Sequence, residues 1–97
     1  MKVNIVFPVL DEERRLEKGI RTTEAFLAKR RDIDAVITIV DNGSTDRTPD
    51  IIKELADVYS NIEYITLGER GFGLAFREAA KRNRCDIIAV SYTHLRA

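Results

Sequence analysis

Carboxylates follow two apolar stretches of the chain, at the points where each stretch gives way to polar residues. Residues 35–40 are apolar or β-branched without alternation, and Asp41 follows them directly, ahead of Asn, Gly, Ser and Thr. Glu12 follows a similar stretch near the amino terminus. A carboxylate at such a place accepts hydrogen bonds from the N–H and O–H groups of a bound ligand. A solvated turn before a helix fits the same residue types, so the other strand ends must decide between the two interpretations.

Apolar periodicity predicts seven elements in the order β-α-β-α-β-α-β, with strands that begin near residues 3, 35, 62 and 86. These separations fit right-handed βαβ crossovers, which predicts an α/β fold: a doubly wound, mostly parallel, Rossmann-like sheet with helices on both faces. The carboxyl ends of parallel strands meet at one edge of a sheet. We therefore expect Glu12 and Asp41 to converge on one crevice.

Single residues also predict where the elements begin and end. Pro8 has no amide hydrogen and is expected to end the first strand. Asp11 is expected to cap a helix that starts there, and Thr48 is expected to cap the second helix. Glu24 is expected on the wet face of the first helix.

A third loop, between the third strand and the third helix, carries Gly71 and Gly73. Glycine lets the backbone approach a bulky ligand, and the N-terminus of the following helix favours a phosphate. The same glycines also suit a tight turn that binds nothing. Taken together, the three loops offer partners to the base, the sugar and the phosphate of a nucleotide.

The composition restricts the class of partner. A chain of 97 residues with 44% hydrophobic content suits one small domain. Its 16 basic and 16 acidic residues cancel, which argues against nucleic acid as a partner. Cys85 has no second cysteine with which to form an internal disulfide, and no signal peptide or membrane-spanning apolar run is recognised, so a cytoplasmic location is expected.

Three motifs resemble the N-terminal part of family 2 glycosyltransferases with the type A fold, particularly dolichyl-phosphate glucose and mannose synthases. The motifs are Phe7 to Glu13, Val40 to Asp46 and Glu69 to Ala75, and the resemblance covers residues 3 to about 90. It implies that residues 1–90 are the nucleotide-sugar-binding part of an enzyme at the cytoplasmic face of a membrane. That enzyme would transfer a hexose from a UDP- or GDP-sugar to a polyprenyl or dolichyl phosphate, or to another acceptor.

The resemblance also implies which residues contact the nucleotide: Pro8, Val9, Leu10, Glu12, Asp41, Asn42 and Gly71. Two positions depart from the commonest pattern. Asp11 stands where Asn often precedes the Glu, and Asn42 stands where a second Asp often follows Asp41. Both departures leave the choice of base open.

A divalent metal, Mg or Mn, is a further implication of the resemblance, because the family continues its fourth strand into a D-x-D motif. Here the strand ending at Val90 runs into residues 91–97, which contain no such motif. We therefore expect a chain truncated after its fourth strand, with 91–97 a non-native tail and with neither catalytic residues nor metal ligands. The D-x-D at Asp32 to Asp34 is expected to be a loop at the amino end of the central strand.

The expected strand order is third, second, first, fourth, which makes residues 86–90 a sheet edge. An apolar edge without charge or proline is a template for another chain, so dimerisation through this strand is expected. A non-catalytic nucleotide-binding or interaction domain is the alternative function, because a doubly wound fold does not fix activity. A dinucleotide oxidoreductase is disfavoured, because no G-x-G-x-x-G follows the first strand.

Overall fold

The structure is a computed structural model that describes residues 2–66 and 87–90, the latter by their backbone alone. Its elements in chain order are β1 (Lys2–Val9), α1 (Leu16–Ala28), β2 (Asp34–Asp41), α2 (Thr48–Val58), β3 (Ile62–Thr66) and β4 (Ile87–Val90). The predicted third helix, the glycine loop with Gly71 and the 91–97 tail lie outside the described residues. None of the described helices is long and apolar enough to cross a bilayer.

The four strands form one parallel sheet in the order β3-β2-β1-β4. This confirms the predicted α/β class, the parallel sheet and the predicted strand order. Helices on both faces stay a prediction, because the predicted third helix lies outside the described residues. In the register of the sheet Val9 pairs with Asp41, and Asp41 pairs with Thr66. The ends of β1, β2 and β3 are therefore level at one edge, and the loops that follow β1 and β2 start side by side.

Both described helices pack on the same face of the sheet. Alternate strand residues point to opposite faces, so the odd-numbered residues of β1 and β2 meet the apolar stripes of α1 and α2. The resulting core contains Phe7, Val9, Leu16, Ile20, Ile37, Ile39, Ile52, Leu55 and Ile62. Burial of each aliphatic side chain of this kind contributes about 1.5–3 kcal/mol, which fixes both helices against the strands that carry the loops.

Pro8 lies inside β1 and does not end it, because the strand continues to Val9. The carbonyl of Val9 accepts a hydrogen bond from the N–H of Asn42, on the side of β2. Neighbouring residues of a strand direct their backbone groups to opposite sides, so the missing N–H of Pro8 falls on the side away from β2. The ladder between β1 and β2 therefore loses no bond.

The prediction that Asp11 caps a helix beginning there is wrong, because α1 begins at Leu16. A turn comes first, in which the carbonyl of Glu12 accepts hydrogen bonds from the N–H groups of Arg15 and Leu16. Asp11 has a backbone φ of 51°, in the left-handed region that precludes an N-cap role. Its side chain bonds to the loop that follows β2, as described below.

The prediction that Glu24 stays in solvent is also wrong, since it is buried. It follows Ile20 by four residues and so continues the apolar stripe of α1. One carboxylate oxygen accepts a hydrogen bond of 3.0 Å from the Asn61 side chain, which also donates to the carbonyl of Ala35. Asn61 thus satisfies one oxygen of this buried carboxylate, whereas the other, Oε2, is buried without a hydrogen-bond partner among the described residues.

Candidate functional site

Asp41 is the last residue of β2 and is only 1% exposed. Its Oδ1 accepts a hydrogen bond of 3.0 Å from the N–H of Ser44, which closes a turn after the strand. Gly43 in this turn has a φ of 85°, a conformation that glycine adopts without steric cost. The other oxygen, Oδ2, is buried and has no hydrogen-bond partner among the described residues. The turn thus fixes the carboxylate through one oxygen and leaves the second as an acceptor.

Asn42 follows directly and is also buried. Its N–H donates to the carbonyl of Val9 at 3.0 Å, which ties the start of this loop to the end of β1. Its side-chain Oδ1, like the Oδ2 of Asp41, is buried and without a partner within the described part of the chain. Buried acceptors are nearly always satisfied in proteins by protein groups, water or a ligand. Two adjacent ones at a strand end favour a ligand that carries N–H or O–H donors.

Glu12 lies in the loop after β1 and is 4% exposed. Its Oε1 accepts a charge-assisted hydrogen bond of 3.1 Å from Nη2 of Arg15. Its backbone N–H donates to the hydroxyl of Thr48 at 2.9 Å. Sequence reasoning missed the Arg15 contact, although the three-residue spacing of the two charges could have indicated it.

Further hydrogen bonds join the loop after β1 to the loop after β2. The N–H of Asp11 donates to the hydroxyl of Ser44 at 2.9 Å, and the Asp11 carboxylate accepts from the N–H of Thr45 at 2.8 Å. The N–H of Glu13 donates to the carboxylate of Asp46 at 3.3 Å. These bonds make the two loops one unit, which we call the loop clasp: residues 11–13 and 44–48.

Asp46 holds the clasp to the start of α2. Its Oδ1 accepts a hydrogen bond of 2.8 Å from the N–H of Thr48, the first residue of that helix. Burial by itself would raise the pKa of Asp46, but the hydrogen bonds from Thr48 and from the N–H of Glu13 together lower that pKa below its ordinary value. Asp46 is therefore an ionised acceptor that satisfies backbone donors of both loops.

The structure brings six of the seven predicted contact residues together, at the adjacent ends of β1 and β2. They are Pro8, Val9, Leu10, Glu12, Asp41 and Asn42. Leu10 differs from the others because it is 38% exposed, an apolar side chain beside a polar edge. Gly71 lies outside the described residues, and the binding role of all seven stays a prediction.

A cavity of about 520 Å³ lies beside the clasp and is lined by Asp11, Glu12, Glu13, Arg14, Arg15 and Asp46. Its carboxylates include those of Glu12 and Asp46, which already accept hydrogen bonds from protein groups. Within residues 2–66 and 87–90, no three His, Cys, Asp or Glu side chains are grouped so as to hold a metal ion. The donor set in the described part of the chain therefore does not fit a divalent cation.

The D-x-D at Asp32 to Asp34 lies where the sequence predicted, before and at the start of β2, at the opposite end of the strand from Asp41. Arg30 donates two hydrogen bonds to Asp32, of 2.9 and 2.8 Å. These bonds from Arg30 lower the pKa of Asp32 to about 2. Asp32 is therefore ion-paired in the loop before β2, and Asp34 begins the strand, both remote from the crevice.

Comparison with known proteins identifies the class. The sequence profile of Glycosyl transferase family 2 matches residues 4–91, and the chain belongs to that family. A dolichyl-phosphate beta-glucosyltransferase of Trichomonas vaginalis, ALG5D, is 39% identical in an alignment 64 residues long that covers 62% of this chain and 20% of that protein. The chain thus spans about a fifth of this curated relative. The crystal structure of S. aureus TarS residues 1–349 superposes with a TM-score of 0.77 at 21% identity, over 96% of this chain and 27% of that one, and supports the fold.

Proposed function

We propose that this chain is the donor-binding part of a glycosyltransferase that moves a hexose from a UDP- or GDP-sugar to a polyprenyl or dolichyl phosphate, or to another acceptor. Membership of family 2 supports sugar transfer by the whole protein. The relative named as a dolichyl-phosphate beta-glucosyltransferase supports a lipid phosphate as acceptor and glucose as the sugar. The single observation that carries donor binding is a pair of buried oxygens, at Asp41 and Asn42, that have no hydrogen-bond partner among the described residues.

Nucleosides carry the donors that such a pair of acceptors requires. Uracil and guanine each have ring N–H groups, and ribose has hydroxyls. The carboxylate of Asp41 is the stronger acceptor, because hydrogen bonds to a charged group are about twice as strong as neutral ones. Leu10 offers an exposed apolar side chain at the same edge, against which one face of a base would pack.

Recognition by the described residues rests on hydrogen bonds. The D-x-D carboxylates with which the family holds its divalent cation have no counterpart among them, and the carboxylates of the clasp already bond to protein donors. No step of sugar transfer is assigned to these residues. We propose that the 97-residue chain binds the donor nucleotide without transferring sugar.

Calorimetric titration with UDP and with GDP tests the site. Asp41→Asn keeps the Oδ1 acceptor for Ser44, so the turn survives. It replaces Oδ2, which has no partner within the described part of the chain, with an amide donor, so the ligand meets a donor in place of an acceptor. Loss of a charged hydrogen bond of about 1.5–3 kcal/mol lowers affinity by roughly 10- to 150-fold. The matched control is Asp57→Asn, which makes the same change on the exposed face of α2 and should bind like wild type. Equal binding by wild type and Asp41→Asn would contradict the assignment.

A further inference from the structure

Thr48 is completely buried at the start of α2, where a threonine ordinarily caps its own helix. Here the hydroxyl is used differently. Its Oγ1 accepts the hydrogen bond from the N–H of Glu12, a residue 36 positions earlier in the chain, at 2.9 Å. The N–H of Thr48 donates to the carboxylate of Asp46. Thr48 is therefore hydrogen-bonded both to the loop that follows β2, through Asp46, and to the loop that follows β1, through Glu12.

The bond acts on a part of the backbone that the proposed donor site depends on. The N–H of Glu12 is held by Thr48, and its carbonyl is held by the first turn of α1 through Arg15 and Leu16. These two contacts fix the peptide groups on either side of the Glu12 Cα atom, and so they fix where its side chain starts. The side chain itself is 3% exposed, with little room to compensate for a shift of its backbone.

Asp41 and Thr48 lie at the two ends of one short loop, and Glu12 lies in the loop that follows the neighbouring strand. We propose that Thr48 is a positioning residue of the donor site, which sets the place of Glu12 relative to Asp41 through its hydroxyl. The proposal rests on the proposed function and adds to it a residue that touches no ligand. This positioning role requires an oxygen acceptor at position 48. It does not require the methyl group of the threonine side chain.

Thr48→Val has nearly the same shape, but it places a methyl group against the N–H of Glu12 and removes the acceptor. It also removes the hydrogen bond between the Thr48 side chain and Asp46, which Thr48→Ser retains. Thr48→Ser keeps the acceptor. Because a buried donor that loses its partner forces the backbone to rearrange, we expect Thr48→Val to weaken UDP or GDP binding about tenfold or more, and Thr48→Ser to stay within about threefold. The matched control is Thr23→Val, whose hydroxyl donates to the carbonyl of Gly19 inside α1 and takes no part in the clasp.

The experiment combines calorimetric titration with amide hydrogen exchange. Faster exchange at Glu12 in Thr48→Val, together with weaker nucleotide binding, supports the proposal. Wild-type-like binding by Thr48→Val, alongside weak binding by Asp41→Asn, overturns the positioning role and leaves the donor site intact. Wild type that binds neither UDP nor GDP overturns the donor site and the positioning role with it. If Thr48→Val does not fold, as judged by circular dichroism, Thr48→Ala is measured against the same criteria.

Discussion

Substitutions at Asp11 separate the two reasons for which the clasp needs this residue. One reason is the backbone, since a φ of 51° is accessible to Asp, Asn and Gly but costly for residues with an ordinary Cβ. The other reason is the side chain, whose Oδ1 accepts a hydrogen bond from Thr45. Asn meets both needs, Gly meets the first alone, and Ala meets neither.

The expected stabilities follow from these needs. The hydrogen bond to Thr45 is solvent-exposed, so its loss costs about 0.5–1.5 kcal/mol of unfolding free energy. Holding an alanine in the left-handed region costs about 1–2 kcal/mol more. We therefore expect Asp11→Asn within about 0.5 kcal/mol of wild type, Asp11→Gly about 1 kcal/mol less stable, and Asp11→Ala about 1.5–3.5 kcal/mol less stable.

Urea unfolding followed by circular dichroism measures these differences as shifts of the midpoint at constant slope. Asp57→Ala, on the exposed face of α2, removes a carboxylate that makes none of the clasp bonds and should change stability by less than about 0.5 kcal/mol. A glycine variant less stable than the alanine variant would refute the backbone argument. An asparagine variant as unstable as alanine would show that the negative charge, and not the position of an acceptor, is what the clasp requires.

Three further outcomes are expected. The pKa of Asp46 is lowered in the folded chain, so its contribution to stability is present above the ordinary carboxyl pKa of about 3.9. That contribution is lost as the pH falls through the lower folded pKa. Urea midpoints should therefore fall more steeply over this pH range in wild type than in Asp46→Asn. Asn61→Ala removes the donor to buried Glu24 and should lower the unfolding free energy by about 1–3 kcal/mol, whereas Glu24→Gln keeps an acceptor and should be milder. Mn²⁺ should change UDP or GDP affinity less than about threefold, and a tenfold gain would reveal a metal site.

Much of this fold follows from short-range pattern. The unbroken apolar run before Asp41 predicted a strand buried on both faces, and residues 37–40 are buried. The spacing of four residues between Leu16 and Ile20 predicted the inner face of α1, where both are fully buried. Right-handed crossovers then leave few arrangements for the strands. Each of these predictions depends on interactions within one element or between an element and the sheet.

Sequence reasoning failed at Asp11 and Thr48 for a common reason. Both residue types cap helices in isolated segments, where the nearest unsatisfied N–H groups belong to the helix that follows. In the folded chain β1 and β2 are neighbours, so each loop finds donors and acceptors on the other loop at hydrogen-bond distance. Asp11 bonds Thr45, and Thr48 bonds Glu12. Whether such a side chain caps its own helix or bonds the neighbouring loop depends on which strands are adjacent in the sheet. A local sequence pattern does not contain that information.

The two departures from the commonest family pattern have different physical consequences in this structure. At position 11 either Asp or Asn supplies the left-handed backbone and an Oδ1 acceptor for Thr45, so this difference leaves the clasp unchanged. At position 42 an aspartate would place a second negative charge next to the buried Asp41, where like charges repel one another. Asn42 supplies a buried oxygen acceptor without that charge. The site thus offers two adjacent buried oxygen acceptors, and of these two the one at Asp41 alone belongs to a carboxylate.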